Sequence, residues 1–195
     1  MTAVPLVKPT MTLEEFFAWD GGGHQGKLEL IDGIVRAMAP ASATHSIIQG
    51  NLVAAIHNHL RATGSPCRVA PEAPVRPALG TRNNARAPDV AVTCAPPSTS
   101  KTFDDPVLII EVLSPSNDND TWESIRALAS LPTLTEIVIV ASERVGAEIY
   151  RKGAAGAWAA DPEIIETGGT IRLTSIGLEL PLAEVYRGTH LVGTA

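Results

Sequence analysis

Three carboxylates stand in apolar stretches where charge is out of place: Glu111 within VLIIEVL, Asp89 opening DVAV, and Glu29 within KLELI. Burying an unpaired carboxylate costs several kcal/mol unless it is protonated, paired or bound to a cation. Glu111 therefore marks either a strand glutamate paired with an arginine or a site. Asp89, directly after Pro88, sharpens the choice. Two carboxylates entering adjacent strands of one sheet lie within a few ångströms, and like charges at that distance call for a cation. A hard divalent ion, held by carboxylate and water oxygens, suits them. Taken singly, Asp89 also reads as a loop cap, and Glu29 as part of an exposed Lys27–Glu29 strand face, since residues two apart share a face.

Other candidates are weaker. His45 opens the longest helical pattern, where it either meets solvent or reaches a neighbouring cleft. His57 and His59, two apart on that helix, fall on different faces and do not share a metal. Arg76, Arg82 and Arg86 cluster around a Gly/Asn loop leading to Asp89, a suitable contact for a nucleic-acid backbone and equally an ordinary basic surface. No GxSxG elbow, Walker loop, GxGxxG or HExxH is present, so serine hydrolase, nucleotide-cradle and zincin chemistry are unsupported.

These groups need a scaffold. Thr12 and Glu15 form a capping box for a short helix over 12–19, stopped by Gly21-Gly22-Gly23. A hairpin follows, with strands over 27–31 and 34–38 around an Asp32-Gly33 turn. Apolar residues at Ile48, Leu52, Ala55, Ile56 and Leu60 predict a helix over 44–63. Strands are expected over 67–75 and 88–93, and the near-continuous apolar run 107–113 reads as a central strand buried on both faces. A helix over 120–131 ended by Pro132, strands over 136–141 and 147–150, a small β meander over 158–176 and a helical turn over 182–186 complete the order. The fold class is α/β (α+β) around one sheet.

The whole, at 195 residues with 45% hydrophobic and 18% charged, suits one domain over 1–195. The net charge of −6 excludes a broad basic surface but not nucleic acid, because metal-dependent nucleases gather acids at the cleavage site. No apolar run approaches the ~20 residues of a membrane span. The N-terminal MTAVPLVKPTMTLEEFF lacks the order of a secretion signal, so the cytoplasm is the simplest address, with Cys67 and Cys94 as reduced thiols.

The order LELIDGIVRAMAPASATH (28–45), RAPDVAV (86–92) and IIEVLSPSNDND (109–120) resembles the Uma-two family of restriction-endonuclease-like proteins, within the PD-(D/E)XK nuclease-like superfamily. The likeness runs over about 12–150, leaving 151–195 as a β-rich extension. It implies a restriction-endonuclease-like core with a mixed central sheet flanked by helices. Asp89 and Glu111 would be metal ligands, Glu29 the additional acid, and His45 the family histidine after MAP. The implied activity is Mg²⁺-dependent hydrolysis of DNA phosphodiesters, by a cytoplasmic homodimer like other nucleases that cut both strands. The superfamily pattern expects a Lys two residues after the second acid, where Leu113 stands. Family members often carry one in the following helix, where the slot is Ser124. Lys27 is then the replacement to test, against its ordinary reading as a solvated lysine beside an acid. The alternative is a catalytically inactive nuclease-fold protein that binds nucleic acid or a protein partner.

Overall fold

The computed structural model describes residues 10–24, 26–114 and 118–192, with the backbone alone at 118–120. The 115–117 part of EVLSPSNDND lies outside the described residues. Helix α1 (Leu13–Ala18) starts at a complete Thr12–Glu15 capping box. Strands β1 (Leu28–Ile31) and β2 (Ile34–Ala37) pair antiparallel around Asp32-Gly33, both at positive φ. Gly33 is required there: a Cβ would lie 3.1 Å from Thr10 Cβ and 3.2 Å from the Met11 carbonyl oxygen.

The main sheet has six strands in the order β3 (Arg68–Pro71), β4 (Val90–Thr93), β5 (Pro106–Leu113), β6 (Glu136–Ala141), β7 (Gly146–Arg151) and β8 (Glu163–Glu166). Only β5 and β6 pair in parallel, and α3 (Asp118–Leu128) makes the crossover between them. The sheet is mixed and flanked by helices, as expected. Helix α2 (Ala43–Ala62) covers one face with Ile48, Leu52, Ile56 and Leu60, which pack with Leu108, Ile110 and Val112. On the other face, Ile125 and Leu128 of α3 pack with Ile109, Ile137 and Ile139. Alternation along β5 thus puts Glu111 on the α3 side of the sheet together with Ile109.

In the β-rich tail, β8 pairs with β7 in the main sheet, while β9 (Thr170–Leu173) and β10 (Leu178–Pro181) form a hairpin whose apolar residues join the α2-side core. Helix α4 (Leu182–Val185) follows, and buried Tyr186 donates its hydroxyl to the Ala141 carbonyl at 2.6 Å. Buried Glu136 anchors the β9–β10 turn by accepting from Thr174 N, Ser175 N and Arg151 Nε. One expectation is corrected: the cysteines are not reduced thiols. Register sets Arg68 opposite Thr93, so one step outward Cys67 faces Cys94, and the two form a disulfide.

Candidate active site

Val90 pairs with Ile110 and Ala91 with Ile109, so the same antiparallel register carries Asp89 opposite Glu111. The acids are adjacent because one ends its loop where the other nears the end of its strand. The backbone N–H of Asp89 donates to Glu111 Oε2 at 3.3 Å, and the N–H of Val112 donates to Asp89 Oδ2 at 2.8 Å. Both side chains are buried, Asp89 at 5% and Glu111 at 5% exposure. Directly opposed like charges are destabilising, and the two carboxyls divide unequally. Burial and the charges of Asp89 and Glu29 push the Glu111 carboxyl well above the usual range. Asp89, also opposed by burial, is drawn down to about 2 by His45 and Lys27.

Lys27, just before β1, and His45, in α2, both reach Asp89. Lys27 Nζ lies 3.1 Å from Asp89 Oδ1. Its backbone is held by Met38 N donating to Lys27 O at 3.0 Å. Burial works against its charge, but Asp89, Glu111 and Glu29 together hold the ammonium above its ordinary pKa. His45, in the first turn of α2, sets Nε2 3.3 Å from Asp89 Oδ2. Ser42 caps this turn by accepting from His45 N. One turn later Gln49 donates Nε2 to the Asp89 carbonyl oxygen at 2.9 Å. Gln49 escaped the sequence reading, although its i+4 spacing from His45 puts both on one face.

Glu29 is buried rather than on an exposed strand face, and both of its oxygens are engaged. Oε1 accepts from Ala87 N at 2.8 Å, and Oε2 lies 3.6 Å from Arg86 NH1. Arg86 in turn reaches Glu123 of α3, 3.3 Å from NH2, and Glu123 also pairs with Arg36. Asp32 grips the preceding loop, accepting from Thr81 N and Asn84 Nδ2. The hairpin acids thus clamp the backbone that delivers Asp89. Glu29 holds Ala87 N and Arg86 in that clamp.

Arg86, read as a phosphate contact, is 4% exposed and pairs with Glu29 and Glu123. Arg76 and Arg82 are exposed, but they line a separate cleft of about 960 Å³ with Lys101, Phe17 and Phe103. None of Lys27, Glu29, Asp89 or Glu111 lines it. Beside Asp89 opens a cleft of about 340 Å³, lined by Lys27, His45, His24, Pro40, Glu72 and Ser114 among others.

The sequence matches the model of the Uma2 family, described as "Putative restriction endonuclease", over residues 13–183. The chain belongs to the Uma2 family. The match runs through the tail beyond residue 150, as β8 within the main sheet requires. The Uma2 chain is similar in fold to a crystal structure titled a "putative nuclease belonging to DUF820" from Anabaena variabilis. That similarity has a TM-score of 0.70 at 17% identity, covering 90% of this chain and 97% of that one. No curated protein matches it. Among the described residues, no helix is long and apolar enough to cross a membrane.

The restriction-endonuclease-like description implies a divalent ion. Among the described residues no three His, Cys, Asp or Glu side chains converge to hold one. Mg²⁺ asks for less, since it keeps several waters and binds through one or two carboxylates. The two acids supply the fit: they lie opposite each other on adjacent strands, and burial and Asp89 push the Glu111 carboxyl up, which a divalent ion beside the two would offset.

Proposed function

We propose that this protein is a metal-dependent nuclease that hydrolyses DNA phosphodiesters, with Lys27 as the active-site cation in place of the lysine missing at Leu113 and Ser124. The contact of Lys27 Nζ with Asp89, across from Glu111, carries this reading. Asp89 and Glu111 would hold Mg²⁺ or Mn²⁺, which when bound offsets charge on the scissile phosphate and acidifies water. His45 and the Val112 N–H fix the orientation of Asp89 through its Oδ2. Lys27, at the mouth of the 340 Å³ cleft, orients the attacking water and meets the phosphate. Glu29, Arg86 and Gln49 position the Asp89 backbone. Phosphate contacts further along the DNA fall to exposed Arg76 and Arg82.

The reading includes a homodimer, because cutting both strands takes two centres and two-fold dimers are the commonest assembly. It also places the protein with DNA in the cytoplasm. Light scattering that returns a 20.5 kDa particle would remove the dimer. The central test is cleavage of supercoiled plasmid with Mg²⁺ or Mn²⁺. Slow metal-dependent nicking is expected, reduced about 10²–10³-fold by Lys27→Ala and abolished by Asp89→Ala. Nicking that is indifferent to Lys27→Ala overturns its role.

Ser124 and Leu113 favour a second reading, a nuclease fold that binds nucleic acid or a protein partner without cutting. DNA binding with no turnover under any divalent ion would select it.

A further inference from the structure

Asp89 has two oxygens, and their surroundings differ. Oδ2 is committed to the protein, accepting from Val112 N and facing His45 Nε2. Oδ1 meets one partner among the described residues, the Lys27 ammonium at 3.1 Å. The Lys27 side chain is 18% exposed, against 7% for Asp89, and both border the 340 Å³ cleft. A cation that enters from this cleft to reach Asp89 must take the oxygen Lys27 now holds.

We infer that Lys27 is a built-in counter-cation that fills the divalent ion's seat on Asp89 Oδ1, and that ion binding frees its ammonium into the cleft. This rests on the proposal that Asp89 and Glu111 bind a divalent ion. It goes further by making Lys27 and the ion competitors for one oxygen. The backbone at Lys27 stays tethered through its carbonyl to Met38 N, so the flexible four-carbon stem carries the movement. The arrangement keeps the buried acid compensated while no ion is bound, and it couples ion arrival to the presentation of the ammonium.

The test uses the full 195-residue chain, Mn²⁺ alone for affinity and Mg²⁺ alone for labelling, with no DNA. In calorimetry, Lys27→Met binds Mn²⁺ about tenfold more tightly than wild type, the equivalent of one lost charge-assisted contact. Lys27→Arg, which keeps a cation in the seat, binds no more tightly than wild type. Lys27→Gln serves as a second neutral variant should Lys27→Met fail to fold. Amine labelling read by mass spectrometry then separates seat occupancy from remote repulsion. Lys27 is labelled several-fold faster with Mg²⁺ than without, while Lys101 and Lys152 keep their rates. Unchanged Lys27 labelling on ion binding overturns the inference, as does Mn²⁺ affinity in both neutral variants equal to or below wild type. Absence of Mn²⁺ binding in wild type and all variants overturns the metal-site reading itself, and the inference with it.

Discussion

Asp89 and Glu111 face each other across adjacent antiparallel strands, with the amide of the first donating to the carboxylate of the second. Two buried acids so placed share one environment but are pushed opposite ways, Glu111 up by burial and Asp89 down by His45 and Lys27. The asymmetry has a cost in stability that can be measured.

Glu111→Gln should stabilise the metal-free protein at pH 8 by roughly 1–2 kcal/mol. The folded pKa of Glu111 is raised, so its contribution is present below its unfolded value near 4.3 and is lost as pH rises through the folded value. Asp89 runs the other way: its contribution is present above about 3.9 and is lost as pH falls towards about 2. Glutamine still accepts from Asp89 N, so only the charge is removed. Urea unfolding in a chelator at pH 5 and pH 8 checks this; a variant that gains nothing at pH 8 contradicts it.

Arg86 supports a different claim, that Glu29 is a clamp. Removing the guanidinium in Arg86→Leu leaves Glu29 buried and unpaired, at a cost of about 3–5 kcal/mol. Adding Glu29→Gln keeps an acceptor for Ala87 N and should recover most of that loss. Denaturant midpoints of the two single variants and the double variant measure the coupling. A loss under about 1 kcal/mol in Arg86→Leu would contradict the clamp.

The sequence carried more of the scaffold than of the clamp. Periodicity suffices for α2 and for β5, where a buried stripe or an unbroken apolar run has one outcome. The burial of Glu29 and Arg86 was not legible, because alternation reports which face a side chain takes, not whether another segment covers it. Their burial comes from the 80–89 loop folding over the hairpin, through Asp32–Asn84 and Leu30–Ala85 contacts more than 50 residues apart in sequence. The Cys67–Cys94 bond was hidden similarly. It follows from β3–β4 register, whereas the cysteine count spoke only of redox compartment.

That bond closes a segment with a sequence separation of 27. Constraint of the unfolded chain by a loop of this length is worth about 3–4 kcal/mol. Urea midpoints with and without a phosphine reductant, with alkylation confirming the thiol count, should differ accordingly. Identical midpoints would mean that β3 and β4 stay paired through their backbone ladder alone.

Ser124 offers the sharpest test of where the missing lysine belonged. It is 3% exposed, and its hydroxyl has no hydrogen-bond partner among the described residues. With Thr121, Ile125 and Leu128 it forms the buried stripe of α3, on the sheet face that also carries Glu111. Its neighbour Glu123 already reaches Arg86. Ser124→Lys and Ser124→Met insert stems of similar size, so the overpacking cost of about 1–3 kcal/mol cancels between them. The difference then reports whether the ammonium finds the acids. The lysine variant should match the methionine variant in stability, and in a Lys27→Ala background it should raise plasmid nicking at least about tenfold. An ammonium stranded short of Glu111 would instead make Ser124→Lys several kcal/mol less stable than Ser124→Met, and α3 would then be excluded as a source of the catalytic cation.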